Sequence, residues 1–533
     1  MIHTNPLSAI RHTGLAISLL LAVGGCAAGG PGASIEHCDD CGPSVLPERP
    51  SGAALDRVPR LDVHLDEDAA LSATIGEATL RVRPGMEATL EVRVDRAGFD
   101  GEIAVWAEGL PAGLVAEPAV MPGSVPTGRL VVSATESAAI GGPHAFRVVV
   151  SASDAEPIDV PARVVVTDAP GAFDRTFGAE GIVAVEGLSV GLRSVAVDDQ
   201  ARVVVAGRDW DTKTMMLERL DASGALDSAY AEAARDAFPP EDFSIASRMV
   251  LVGDEAHVLV VAGSHDDTEV QVGLMSFDAA GVPLGVTPIN RVDDDAVGSL
   301  AIASGDGSVF LRVGERFASM RADRSVVELS LPAGAVTAHA MAYWNHTLTF
   351  GARASIDAPA MLERVHTAGG RDDRFGADGF VLPTDAGDEG FGSRITFLVE
   401  QHADGSGYAG SNAFFPERDT FGDLVRFTAE GALDATFGDG GVVTFESGQL
   451  LGLAVDGEGR PVVMVQDRSS GEREVRRYTR EGELDRSFGE AGVLELGTTD
   501  LSGATLLTRD AVADRLVLCG ATDSGWSCGR LWL

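Results

Sequence analysis

The stretch LDATFGDGGVVTF, Leu433 to Phe445, restricts the fold of this chain more than any other. It returns as FDRTFGAEGIVAV from Phe173, as RDDRFGADGFVLP from Arg371 and as LDRSFGEAGVLEL from Leu484. Each copy has a leading residue, Asp, two spacers, Phe-Gly, two more spacers, Gly and a run of strand-forming residues. A pattern of that kind recurring about every fifty residues marks a repeat architecture, in which one supersecondary unit stacks on the next.

The turn glycine ahead of the motif gives the period. It occurs at Gly171, Gly224, Gly281, Gly369, Gly431 and Gly482, with Arg324 in the same place in a seventh unit. The second unit, RLDASGALDSAY, puts Tyr230 where the others have Phe; the third and fourth lose the Phe-Gly altogether. A well-kept unit reads as four strands: GVVTF, LLGLAVD, PVVMVQD and EVRRYTRE, separated by polar turns. Seven units of four short strands describe a β-propeller over 171–533. A β-solenoid is the alternative, though it favours units of roughly 20 to 30 residues.

The motif chemistry reads as packing. The carboxylate of Asp434 is placed to accept backbone N–H groups and hold a bend. Phe437, the one large apolar residue in a polar connection, is expected to tuck between blades, and Gly438 and Gly441 to supply backbone angles that a side chain forbids. The same roles fall to Asp174, Phe177, Gly178 and Gly181, to Asp372, Phe375, Gly376 and Gly379, and to Asp485, Phe488, Gly489 and Gly492. These units resemble the delta-60 repeats of bacterial secreted and surface proteins, of the form LDxxFGxxGxV. That resemblance implies a propeller and lends no general enzymatic activity. The last unit ends on GRLWL and the first opens on IVAVE, so Ile182–Glu186 and Arg530–Leu533 are expected to share or adjoin a blade and close the ring.

Ahead of the repeats, residues 62–168 alternate apolar with polar in ATLRVR, ATLEVRVD, EIAVWA, GRLVVSAT, HAFRVVV and PARVVVT. Period-two runs separated by turns such as RPGM and GLPAG suit an antiparallel β-sandwich, with Trp106 as a candidate core centre. This stretch resembles the immunoglobulin-like modules of bacterial surface proteins, without the Cys pair of antibody domains; such a module implies a spacer. A glycan-binding role would need an exposed aromatic platform, for which only Phe99, Trp106 and Phe146 stand here.

The amino terminus reads as an address. Arg11 and His12 precede an apolar run, Leu15–Val23, too short to span a bilayer, and VGGC puts small residues before Cys26. It resembles a bacterial lipoprotein signal over 1–25, which implies cleavage before Cys26 and lipidation of its thiol; an ordinary signal with a fortuitous Cys is the other reading. Ala27 is not the Asp that such signals use for inner-membrane retention, so an outer-membrane or cell-surface location is expected. Residues 26–61, rich in Gly, Pro, Ala and Ser, read as a flexible tether.

Export permits disulfides. Cys38 and Cys41 form a CxxC in the tether, read as a possible local disulfide. Cys519 and Cys528 flank Asp523-Ser524, so a hairpin turning there sets them opposite each other within bridging distance.

Acidic residues outnumber basic ones 80 to 41, a formal charge of −39, and such a surface repels a phosphate backbone, so no nucleic-acid partner is expected. Other motifs lack their structural setting. Gly187-Leu-Ser189-Val-Gly191 matches a hydrolase elbow but lies between expected β-strands. His265-Asp266-Asp267 and Asp293-Asp294-Asp295 lack the Gly-spaced loop of a calcium site. His257, His339, His346, His366 and His402 are scattered; only His257 and His402 occupy matching places in their units. No catalytic residue, metal site or cofactor is therefore assigned. The expected function is a monomeric, non-enzymatic surface lipoprotein whose propeller receives a protein or glycan, with a propeller hydrolase or lyase acting on an extracellular polymer as the alternative.

Overall fold

A computed structural model describes residues 71–533 apart from 77, 97–98, 153–155, 188–189, 213, 236–244, 263–268, 294–299, 315, 330–336, 354–360, 377–379, 382–393, 414–420 and 447. Cys26, Cys38, Cys41, Gly379, Ser189, His265, Asp266, Asp267, Asp294 and Asp295 lie outside the described residues.

Two sheets between Ser72 and Val166 form the β-sandwich, one of four strands and one of five. Alternation makes the core: Glu87–Asp95 buries Leu90, Val92 and Val94 while Glu91 and Arg93 face water. Those residues meet Val148, Val150, Val160 and Val164 of the other sheet in one apolar cluster. Two expectations are corrected here. Trp106 is not the core centre: Ile103 and Val105 of its strand point inward, so the period of two turns Trp106 to the outer face, where its Nε1 donates to Glu108. The sandwich is also not wholly antiparallel, because Thr79–Val82 pairs in parallel with Ile158–Val166.

From Ile182 onward the described residues form seven sheets. Their first strands are Val190–Val197, Ile245–Val252, Leu300–Gly305, Thr337–Trp344, Arg394–Gln401, Gly448–Val455 and Ala504–Asp510. Each packs on the next, and the seventh packs on the first. Seven sheets whose innermost strands make a closed circle constitute a seven-bladed β-propeller, and closure excludes a solenoid. Numbered in chain order, and counting strands among the described residues, blades 2 to 7 have four and blade 1 has three. In blade 1 the segment after the third strand forms the helix Ser228–Arg235, which starts because Asp227 caps it through the amide of Tyr230.

The sequence repeat and the blade are out of phase. Val442–Phe445, the opening strand of its unit, is the outermost strand of the preceding blade, paired with Phe421–Phe427. The ring therefore closes through its own first strand: Ile182–Glu186 pairs antiparallel with Gly525–Trp532 as the fourth strand of blade 7, from Ile182 opposite Gly529 to Glu186 opposite Gly525. Phe173 adds a bridge to Leu531. Cys519 and Cys528 are opposed in the same hairpin and joined by a disulfide, with Cα atoms 4.2 Å apart.

Candidate functional site

Each copy of the motif builds a junction at a seam between two blades. In the copy at Leu433, Asp434 Oδ1 accepts the amide and hydroxyl of Thr436 at 3.1 and 2.6 Å, which fixes the bend. Thr176 with Asp174 and Ser487 with Asp485 repeat the arrangement. The aromatic ring then enters the seam between blades. Phe437 is fully buried between Tyr408 and Leu424 of blade 5 and Val463 and Leu450 of blade 6. Phe177, Phe375 and Phe488 do the same between blades 7 and 1, 4 and 5, and 6 and 7.

A fourth member of this junction, an arginine, was not recognised in the sequence. Arg219, Arg364, Arg426 and Arg477 lie at or within two residues of the end of the third strands of their blades, each eight residues before the motif Asp. The Asp amide donates to the Arg carbonyl at 2.8 to 3.0 Å in all four, and Asp174 does so to Arg530 across the ring closure. The Arg side chain lies over the motif ring: Arg530 is 4.5 Å from the centroid of Phe177, Arg364 4.0 Å from Phe375, Arg477 5.1 Å from Phe488 and Arg219 4.2 Å from Tyr230. It also pairs with the second oxygen of the Asp, at 2.9 Å for Arg477 with Asp485 and 2.6 Å for Arg219 with Asp227. A planar guanidinium can stack and donate at once, which an ammonium cannot, and all but one of the 41 basic residues here are arginine. The signal that would have found it is the constant interval from Arg to Asp.

The junctions are linked in series. The amide of the motif Gly donates to the carbonyl just before the next marker position: Gly178 to Ser223, Gly376 to Glu430, Gly438 to Glu481 and, across the closure, Gly489 to Pro170. The marker residue must then be Gly, because a Cβ on Gly482 would stand 2.5 Å from the amide nitrogen of Gly438.

The closing junction, between blades 7 and 1, is the most heavily charged. Asp174 Oδ2 accepts from both Arg530 Nε and Arg515 Nη1 at 2.8 Å, and Arg515 also pairs with Asp510 at 2.7 Å. All four side chains are at most 2% exposed. Burial alone would raise the Asp174 carboxyl, but Arg530, the Thr176 hydroxyl and Arg515 outweigh it and hold the group below its usual value. Burial, with Arg515 alongside, brings Arg530 down to about 10. Here the sandwich meets the ring: Val165 packs with Ala513 and Trp532, and Arg81 lies 3.8 Å from Asp514. A cleft of about 320 Å³ opens between the start of the sandwich strand Gly141–Ala152, at Gly142-Pro143, and the ring, where Gln200 and Ala222 in turns of blade 1 and Arg515 at the start of the blade 7 strand Arg515–Thr522 line it.

The other sequence candidates are not gathered into a site. His257 Nδ1 lies 2.9 Å from Ser276 Oγ and its Nε2 3.7 Å from Glu255, an order that mimics a catalytic triad. His257 and Ser276 are at most 3% exposed, so a substrate has no approach to the hydroxyl, and burial, with Arg324 adding to it, lowers the imidazole to about 4. His402 lies in blade 5 against the Tyr408 ring, three blades away, so the two matching histidines form no cluster. His346 pairs with Asp306, and His366 lies 3.9 Å from Asp372. Among the described residues, no group of three or more His, Cys, Asp or Glu is placed to hold a metal ion.

Fold and junctions together define a seven-bladed β-propeller closed by its N-terminal strand and joined to a β-sandwich. No family model and no curated protein matches the chain in sequence. Among solved structures it is similar to a DUF4623 family protein from Bacteroides eggerthii (10% identity, 86% of this chain and 94% of that one, TM-score 0.31). It is also similar to the β-propeller domain of the Trilobed protease from Pyrococcus furiosus (9% identity, 74% and 95%, TM-score 0.34). A GH43 endo-arabinanase from Bacillus licheniformis aligns at 10% identity over 52% of this chain and 99% of that one, TM-score 0.25. The propeller assignment itself rests on the seven sheets and their closed ring.

Proposed function

We propose that the protein is a non-enzymatic surface lipoprotein, held by a lipid on Cys26 and a tether over 26–61, whose propeller serves as a binding scaffold for an extracellular protein or glycan. The sandwich is an immunoglobulin-like spacer and the ring is built of delta-60-type units. The protein works as a monomer and has no nucleic-acid partner. The observation that carries this reading is that the ionisable residues repeated from blade to blade are engaged in the Arg-Asp-Phe junctions. Repetition of charge in this chain thus serves ring assembly. The sandwich lies against the turns of blades 1 and 7 that link first to second strands and third to fourth, which leaves the opposite face of the ring free of it.

Incubating the purified full chain with a panel of polysaccharides separates the two classes. Saturable binding with no new reducing ends is the expected result, whereas release of reducing ends or unsaturated products makes the protein a hydrolase or lyase. Anchoring has its own test: Cys26→Ser is expected to move the chain from the membrane to the soluble fraction, and an unchanged distribution removes the lipid from the proposal.

A further inference from the structure

Strand order fixes which residues face away from the sandwich. Within a blade the first-to-second and third-to-fourth turns lie at one end and the second-to-third turn at the other. The turn between Val203–Asp209 and Met215–Leu220 of blade 1 therefore belongs to the face free of the sandwich. Trp210 stands on that turn with 43% of its surface exposed. Of the other large apolar side chains exposed among the described residues, Leu226, Val282 and Leu484 lie on third-to-fourth turns, Val286 and Val326 on outermost strands, and the rest in the sandwich. Among the described residues, Trp210 is thus the one large apolar group that a second-to-third turn presents.

The indole is held in place on that face. Asp209 Oδ1 accepts the amides of Asp211 and Thr212 at 2.9 and 3.4 Å and fixes the turn. Blade 6 has the same turn, with Asp467 accepting from Ser469 and Ser470 at 2.8 and 2.9 Å, and there the position after the Asp is Arg468. The ring packs on the innermost strand at Gly191, where a Cβ would stand 2.9 Å from Cζ2 and 3.1 Å from Nε1. Gly191 is the last residue of the Gly187-Leu-Ser189-Val-Gly191 stretch that matches a hydrolase elbow, and its part here is to make room for an indole. Arg208 covers the ring from one side, its guanidinium carbon 4.9 Å from the centroid. It has no carboxylate partner among the described residues, and with Nε enclosed the outer edge of its guanidinium is what a ligand meets.

A fixed aromatic face with a charged donor beside it suits a ring that has an apolar side and a rim of hydroxyls. A protein hot spot also uses Trp and Arg, but it needs an apolar surround that excludes water. Here the next residues of the turn are the exposed Asp211 and Thr212. The net charge of −39 disfavours a polyanionic glycan as it does a nucleic acid. We propose that the second-to-third turn of blade 1 is a binding site for a neutral glycan, one pyranose ring of which stacks on the open side of Trp210 while Arg208 donates to its hydroxyls. The inference rests on the reading of the propeller as a binding scaffold and assigns the contact to blade 1.

Calorimetric titration of the full chain with cellohexaose, xylohexaose and mannohexaose, and with hexagalacturonate as the charged counterpart, tests this. Saturable binding of a neutral hexasaccharide is expected, with hexagalacturonate weaker by about tenfold or more. Trp210→Ala is expected to weaken the neutral ligand by about tenfold or more, and Arg208→Gln by about three- to tenfold. Gly191→Ala keeps the indole but crowds it from its seat, and is expected to weaken binding as well. The unfolding midpoint of each variant, measured alongside, establishes that it is folded. No saturable binding of any neutral hexasaccharide, or undiminished binding by folded Trp210→Ala, overturns the site; in the second case the scaffold reading stands with its glycan contact elsewhere. Hexagalacturonate binding as tightly as the neutral sugars overturns the preference for an uncharged ligand. Release of reducing ends during the titration overturns the scaffold reading itself.

Discussion

The seams on either side of blade 3 lack the junction that the other five seams have in full or in a Tyr variant. At the third-strand position occupied elsewhere by Arg, blades 2 and 3 have Ser276 and Ser319, and neither seam has the motif Asp or Phe. All three components have gone together, as expected if each is useful only with the others: an Arg without its Asp and ring would be a buried, uncompensated charge. What replaces them between blades 2 and 3 is aliphatic burial, with Leu259, Val261, Leu274, Leu300, Val309 and Leu311 in one cluster. Between blades 3 and 4, Arg312 stacks 4.8 Å from Phe350 and faces Glu363, a different charged solution. A blade seam can thus be closed by apolar area or by a directional polar junction. Only the second also sets the register of one blade against the next, through its cross-seam hydrogen bonds.

The largest test of that contrast compares one carboxylate in two settings. Asp174→Ala strands Arg530 in the closing seam and leaves Arg515 with Asp510 alone; removing one partner of a buried pair costs about 3–5 kcal/mol. Asp434→Ala removes the same bend and ion pair, but the Asp434 side chain is 22% exposed and water can solvate Arg426, so a loss of about 1–2 kcal/mol is expected. Urea unfolding of both variants measures the difference. Equal losses would mean that the closing seam is no more dependent on its charges than an ordinary one.

The part of this arrangement visible in the sequence is the part that repeats locally. Asp, Phe and Gly lie within a few residues, so their recurrence gives the period, the blade number and the seam position of Phe437. Arg324 in the marker slot keeps the count at seven, and the structure finds it in the left-handed region, φ +63°, like Gly281 and Gly431 at +82° and +83°. The phase of blade against repeat was not visible, because strand order within a sheet is a tertiary property and Val442–Phe445 could close either neighbour. The closing Arg530–Asp174 pair, 356 residues apart, carries no local signal. Trp106 was misplaced for another reason: an indole, apolar but for one N–H, suits either face of a sheet, and the burial of Ile103 and Val105 decides which.

A second test uses the pocket left where blade 2 has Ser276 instead of Arg. His257 fills it as a neutral imidazole bonded to Ser276, with Glu255 and Arg324 at its rim. Its folded pKa of about 4 lies below the ordinary 6.5, so between those values the unfolded chain binds a proton that the folded chain refuses. Stability therefore falls as pH drops from about 6.5 toward 4, by about 2 kcal/mol at pH 5, and levels off below 4. His257→Gln should abolish that component of the pH profile measured by denaturation at pH 7 and 5. An unchanged slope would assign the acid sensitivity to other groups and make the replacement seam electrostatically silent.

The smallest effect bears on why an arginine is tolerated at one marker and excluded from the others. Gly482 takes φ +85° and lies against Gly438, so Gly482→Ala combines left-handed strain with a backbone clash and is expected to cost about 2 kcal/mol. Unit 3 has no Phe-Gly to approach Arg324, so there the only penalty is the backbone angle. Arg324→Gly relieves about 1 kcal/mol of that strain and gives back roughly half through the freer unfolded chain. It also loses the bond from Nη1 to the Leu284 carbonyl at 3.2 Å. The expected net change is within about 0.5 kcal/mol of zero. A large stabilisation on Arg324→Gly would show that the eroded seam still makes the close approach, and the division between the two kinds of seam would fall.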